Sequence, residues 1–228
     1  MSAVFSFITK NDAVLATDTI CSFKPTASDS KLIPRSFTNK MFFLPQFKSA
    51  FAVTGTLQAG LSFFNFTTEK IYGIDVDSLV GIDLSHFTSM LHSNSNNEEF
   101  PIGTIYLLGY SIKDETFKGY KLIININEDL KWEATPLDNF MFKPYVANWE
   151  EKLTTDQQRS SLQEFVTDLM KLQKAEDENK TIEEQVGIGG EIVYSYFFID
   201  QETNRFTFNT QILHRFHDYN TQHSKMGR

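Results

Sequence analysis

The sequence predicts an α+β fold in which two antiparallel sheets lie face to face with helices outside. Three observations point there. Strand-like runs outnumber helical ones, they come in adjacent pairs joined by short turns, and the helical runs fall between blocks of strands rather than alternating with single strands. Neighbouring strands joined by short turns are antiparallel, because a parallel pair needs a long crossover.

The elements follow in chain order. Residues 3–9 (AVFSFIT) mostly alternate apolar and polar, with Phe5 and Phe7 favouring a strand, although Val4 breaks the strict pattern. Asn11-Asp12 is a turn pair. Residues 13–17 (AVLAT) are almost continuously apolar, as expected of a strand covered on both faces. Residues 24–37 hold Pro25, Pro34 and several serines, and read as a loop longer than most. A second hairpin covers 39–45 and 48–54 around Pro45-Gln46-Phe47, and Gly55 ends it. From Thr56, a potential cap, the residues Leu57, Leu61, Phe64 and Ile71 recur at helical spacing. A shorter helix over 83–93 carries Leu84, Phe87 and Leu91, and a polar loop runs from Ser93 to Glu99.

Residues 103–112, 117–126 and 130–135 read as three strands, with turns at Lys113-Asp114-Glu115 and Asn127-Glu128-Asp129. Residues 136–153 stay unassigned, since Pro144 interrupts any single helix. A helix over 155–174 opens on Thr155 with Gln158 and presents Leu162, Phe165, Val166, Leu169 and Met170 on one face. Lys174 to Lys180 reads as a solvated charge run. A last hairpin covers 190–199 and 204–213, and the polar tail from about 219 reads as frayed. No internal repeat is present, and the 228 residues fit one domain over 1–228.

Composition narrows the function. With 22 Phe the core is expected to be Phe-rich. The net charge of −8, with no long basic run, argues against nucleic acid or an anionic membrane as partner. No apolar segment approaches the roughly 18–20 residues that span a bilayer. No basic segment followed by a long apolar run opens the sequence, so no signal peptide is expected. Cys21 is the single cysteine, which suits a reducing, cytoplasmic setting. His214, His217 and Asp218 are close together, with His223 beyond, but no second cluster completes a metal shell. The reading therefore expects no metal and no cofactor.

The chemistry is sought at the start of the chain. A hydroxyl-bearing residue with a free α-amine can act as a nucleophile whose own amine, titrating near neutrality, takes the proton. Ser2 follows Met1, and a small second residue permits removal of the initiator methionine. Asp18 and Lys40 are placed to form an ion pair beside it, and Gly55 at a strand-to-helix junction offers a backbone N–H to an oxyanion. Taken singly, each has an ordinary alternative: Asp18 as a turn cap, Lys40 as a surface charge.

Together these residues resemble the start of proteasome β-type subunits and their bacterial relatives. In that family an N-terminal Thr, Ser or Cys precedes a hairpin ending in A-A-D, then a lysine in the third strand, then an A-G-T or S-G-S stretch opening a helix. The counterparts are Ser2, ATD ending at Asp18, Asn39-Lys40, and VTGT with Gly55; Ser2 and Asp18 are 16 positions apart, the family's spacing. The resemblance continues weakly through IYLLGYSIKDETFKGYKLIININED and GGEIVYSYFFID, so it spans most of the chain. It departs where the family carries D-x-x-S-G-G: Ile188 replaces the serine and Gln185 the aspartate, and ATPLDN (134–139) stands where G-S-G-S is usual.

With the hairpins flanking paired helices, the resemblance implies a four-layer αββα sandwich. It implies a hydrolase of peptide or amide substrates acting through Ser2, with Cys21, Val53 and Leu57 lining the pocket for the residue before the scissile bond. The ordinary reading of these three is core packing. The resemblance also implies a homo-oligomer, for which the aromatic residues Phe63, Phe64, Phe66 and Phe87 offer a helical surface. The alternative is an inactive scaffold or binding subunit with the same fold.

Overall fold

The computed structural model describes residues 2–23, 32–70, 73–94, 102–125, 129–136, 140–154, 161–200, 202–203 and 205–226. Its strands are β1 (Val4–Ile8), β2 (Asp12–Asp18), β3 (Ile20–Phe23), β4 (Ile33–Phe37), β5 (Met41–Leu44), β6 (Ser49–Gly55), β7 (Gly103–Ser111), β8 (Thr116–Ile124), β9 (Trp132–Thr135), β10 (Phe140–Lys143), β11 (Glu191–Asp200) and β12 (Arg205–Arg215). The helices are α1 (Leu57–Lys70), α2 (Val76–Val80), α3 (Ser85–Asn94), α4 (Trp149–Thr154), α5 (Leu162–Glu178) and α6 (Tyr219–Lys225).

One five-stranded sheet runs β10-β1-β2-β11-β12, a second runs β5-β6-β7-β8-β9, and β3 and β4 form a separate pair. All neighbours are antiparallel. The chain is thus a mixed α and β fold built on antiparallel sheets.

Three buried clusters explain the patterning. One draws Val4, Ala13, Leu15 and Phe197 from the first sheet together with Ala50, Ala52, Leu108 and Phe117 from the second. Another sets Phe5, Val14 and Ala16 of the first sheet against Val166, Leu169 and Met170 of α5. The third sets Phe51 and Val53 of β6 against Phe63 and Phe66 of α1 and Phe87 of α3. Successive residues of a strand face opposite sides. β2 and β6 are therefore continuously apolar because both their faces are covered, and Val4, which broke the alternation in β1, is buried in the cluster opposite Phe5.

Several expectations need correction. The loop read over 24–37 contains β4, which pairs with β3; Pro34 is tolerated because β4 has a neighbour on one side only. The unassigned stretch holds β10, which pairs with β1, and α4, with Pro144 between them. Helix α5 starts at Leu162, and its cap is Ser161, whose side chain accepts from Glu164 N–H; the expected cap at Thr155 and Gln158 lies outside the described residues. A further short helix, α2, is capped by Asp75, which accepts from Ser78 N–H.

The charge run Lys174 to Lys180 covers the end of α5 and is solvated only in part: Lys174 and Asp177 are 6% and 3% exposed, whereas Glu178 is exposed. Residues Tyr219–Lys225 of the tail form helix α6, and Tyr219 stacks on Phe37 of β4 with ring centroids 4.5 Å apart. The aromatic residues invoked for oligomerisation belong to the chain's own core: Phe63, Phe66 and Phe87 are buried, with Phe87 5.2 Å from Phe66 and 5.5 Å from Phe63, and Phe64 packs partly buried against the same cluster.

Candidate active site

Ser2 is buried and lies just ahead of β1. The β1–β2 register pairs Val4 with Thr17, so the residues before β1 fall beside Asp18 at the end of β2. Ala3 N–H donates to Asp18 Oδ1 at 2.9 Å, and Asp18 N–H donates back to Ala3 O at 3.3 Å. Lys40, immediately before β5, donates its Nζ to the same Asp18 Oδ1 at 2.8 Å. Gly189 N–H donates to Asp18 Oδ2 at 3.2 Å.

The Asp18 carboxylate is fully buried and Lys40 is 2% exposed. Burying both charges is tolerable only because they pair and because two backbone N–H groups complete the carboxylate's shell. An ammonium carries three donors. Among the described residues Asp18 is the acceptor Lys40 has, which leaves positive charge directed at what lies beside it.

Gly55 needs to be glycine. Its φ is +93°, and a Cβ there would stand 2.5 Å from Gly103 Cα and Ile102 O. Thr56 N–H donates to Ile102 O at 2.8 Å on the β7 side, and Val53 N–H donates to Lys40 O at 3.1 Å on the β5 side. Bonding alternates sides along an antiparallel strand. Gly55 N–H is therefore directed to the β5 side, beyond the start of β5 at Met41. The Thr56 hydroxyl does not cap α1; it donates to Ile102 O at 3.1 Å.

A cavity of about 820 Å³ adjoins these groups. Ser2, Lys40 and Gly55 line it, as do Cys21, Val53 and Leu57. Asp18 is not on its surface; it stands behind Lys40. All seven singled-out residues therefore meet in one region. Val53 also belongs to the buried cluster under α1, so its core reading holds too.

The sequence reading missed other lining residues. Arg35 and Ser36 come from β4, which was read as loop. Ile102, Gly103 and Thr104, with Ile123, Ile124 and Asn125, come from strand ends brought opposite Gly55 by the pairs Gly55↔Gly103 and Gly103↔Ile124. That pairing, unlike strand periodicity, has no local signal. The described lining carries two cations, Arg35 and Lys40, and no carboxylate.

Titrating groups elsewhere are shifted by burial. Burial pushes the Tyr106 phenol up, against hydrogen bonding to Thr54 and Thr104. Burial holds His214 below the usual imidazole range, aided by Lys171 and His217. Among the described residues no group of His, Cys, Asp or Glu could hold a metal ion, and no helix is long and apolar enough to cross a membrane.

No family model matches the sequence, and no curated protein matches it. Solved structures do match. One is the Anbu (Gly-1) mutant from Hyphomicrobium sp. strain MC1, with a TM-score of 0.52 and 11% identity over 99% of this chain and 93% of that one. At that identity the likeness carries the fold alone, and the fold is proteasome-like.

Proposed function

We propose that this chain is a proteasome-like N-terminal-nucleophile hydrolase that cleaves peptide or amide bonds with Ser2 after Met1 is removed. The observation that carries the reading is Asp18 Oδ1, which accepts from both Ala3 N–H and Lys40 Nζ and so ties the residue after the nucleophile to a buried cation at the cavity wall.

Ser2 Oγ attacks the carbonyl carbon while the freed α-amine takes the hydroxyl proton. The Lys40 charge favours the neutral, proton-accepting form of that amine. The carbonyl oxygen becomes an oxyanion that Gly55 N–H meets at the cavity edge. On collapse the C–N bond breaks, the amine's proton passes to the departing nitrogen, and an ester on Ser2 remains for water to hydrolyse. Cys21, Val53 and Leu57 form the wall for the residue before the scissile bond.

The reading includes a four-layer αββα sandwich, supported by the cluster shared between the sheets and by helices packed on the other face of each. It includes a cytoplasmic setting, supported by the single cysteine, and the homo-oligomer that the resemblance implies. Sedimentation at micromolar concentration tests the latter; a monomer counts against it.

The test of the chemistry uses a peptide β-lactone on protein shown by intact mass to lack Met1. Attack by Ser2 forms an ester and opens the lactone C–O bond, so the adduct should be released by hydroxylamine and absent in Ser2→Ala. An inert scaffold is the second reading, favoured by Ile188 and Gln185 where the family carries serine and aspartate. Met-free protein that takes no adduct would establish it.

A further inference from the structure

The run that stands where the family carries D-x-x-S-G-G is held by residues that the sequence presents as solvent-facing. The run 186–190 has no strand or helix of its own, yet its backbone groups are gripped along its length. Asp177 of α5 accepts from Val186 N–H at Oδ1 and from Gly187 N–H at Oδ2, both at 2.8 Å. Lys174 Nζ donates to Ile188 O at 3.0 Å and to Asp218 Oδ2 at 3.0 Å, and pairs with Glu178 at 2.8 Å. Gln222 of α6 donates to Asp218 Oδ2 at 2.6 Å and accepts from Gly190 N–H at 3.3 Å.

Gly189, in the middle of this run, faces the other way. Its N–H goes to Asp18 Oδ2, and its carbonyl accepts from Thr19 N–H and Ile20 N–H, each at 3.3 Å. Gly190, with φ +76°, turns the chain into β11, and a Cβ there would stand 2.4 Å from Thr19 Oγ1. The outward groups of the run are thus fixed by side chains of α5 and α6, and its inward Gly189 N–H holds Asp18. Burying Lys174 and Asp177 in a chain with ample apolar alternatives is costly unless the backbone bonds they make serve a purpose.

We propose that Asp177 and Lys174, with Asp218 and Gln222 of the C-terminal helix, are positioning residues that hold Gly189 against Asp18 and thereby set the Asp18–Lys40 geometry beside Ser2. In its effect on chemistry the inference rests on the hydrolase reading; in its effect on geometry it does not.

The experiment compares wild type, Asp177→Asn and Gln222→Ala with Ser161→Ala as control. The control weakens the start of the same helix without touching the run. An asparagine at 177 keeps one acceptor and turns an N–H donor against the other backbone N–H. Gln222 is on a surface helix, so its truncation leaves the core intact. Amide hydrogen exchange should show the Gly189 and Ala3 protons losing protection by about tenfold or more in both variants and keeping it in Ser161→Ala. With the β-lactone, the maximal acylation rate should fall about tenfold to a hundredfold in Asp177→Asn, with probe affinity within twofold, as a misplaced charge requires.

Unchanged protection at Gly189 and Ala3 in both variants overturns the inference, as does a rate loss no greater than that of the control. If Met-free wild type takes no label, the hydrolase reading fails while the exchange result still decides the positioning.

Discussion

The groups that reach Asp18 from the first forty residues and those that reach it from beyond position 170 hold the same carboxylate by different means. The near side uses strand geometry: Ala3 arrives through the β1–β2 ladder and Lys40 through the start of β5. The far side uses charged side chains on helices to fix a run without secondary structure, and only Gly189 of that run touches Asp18. A ladder places atoms as a by-product of folding. An irregular segment has to be placed by dedicated bonds, and here those bonds consume a buried lysine and a buried aspartate.

Breaking the near side has the largest expected effect. Lys40→Ala leaves the Asp18 carboxylate buried without its cation, which should cost about 3–5 kcal/mol of stability. Acylation by the β-lactone should be lost with it. Urea unfolding and labelling mass spectrometry read the two effects; full-rate labelling would remove Lys40 from the mechanism. Gly55→Ala comes next. The positive φ and the 2.5 Å approach to Gly103 and Ile102 force the chain to shift, at about 1–3 kcal/mol for the strained backbone. The N–H offered to the oxyanion moves too, so acylation should fall by more than stability alone explains.

The far region should also respond to alkali. Burial, then the charges of Tyr196 and Asp12, push the Tyr194 phenol up to about 12. Between about pH 10 and 12 the unfolded chain gives up that proton and the native chain keeps it, so stability falls as pH rises. Lys174 acts with the same sign: burial lowers its value, but Glu178 and Asp218 outweigh burial and raise it. Its contribution is complete below the ordinary lysine value and is lost as pH climbs through the raised one. Tyr194→Phe should flatten the slope of unfolding free energy over pH 10–12; an unchanged slope would assign the effect elsewhere.

The two sides were also unequally readable in the sequence. β1, β2, β5 and β6 followed from apolar runs and turn residues, and the spacing of Ser2, Asp18, Lys40 and Gly55 was visible because each sits at a strand end. The far side is harder to read because Lys174 and Asp177 are charged, and a charged run is ordinarily solvated. What buries them is a partner 9 to 44 positions away, and no local pattern encodes that. The Ser161 cap of α5 is written in SLQE, six residues beyond Thr155. β4 hid behind Pro34, and α6 behind a polar composition that gave no hint of the Tyr219–Phe37 stack.

Ser161→Ala sharpens the comparison at smaller cost. Losing the cap should destabilise the protein by about 1 kcal/mol, and acylation of the remaining native protein should stay within twofold. That outcome separates weakening α5 as a scaffold from cutting the bonds it makes to the 186–190 run.

The smallest expected effect concerns Arg35, which stands where the two regions meet. It lies on β4, two residues from Phe37, whose ring stacks on Tyr219 of the C-terminal helix, and it lines the cavity that Ser2 enters. The chain carries a net charge of −8, yet the described lining holds two cations and no carboxylate. Lys40 is buried and held by Asp18, so Arg35 is the exposed cation that a substrate meets at the wall. Arg35 is exposed, and exposed pairs are worth about 0.2–1 kcal/mol, so Arg35→Ala should weaken binding of an acidic peptide probe by about twofold to fivefold and leave a neutral one unchanged. The difference should shrink as salt is raised, because screening acts on exposed charges first. Tyr219→Ala supplies the comparison: it removes the stack under β4 but keeps the guanidinium. If it lowers the acidic preference as Arg35→Ala does, the C-terminal helix places a wall of the cavity as well as the carboxylate behind it; if the preference survives, β4 holds Arg35 through its pairing with β3 alone.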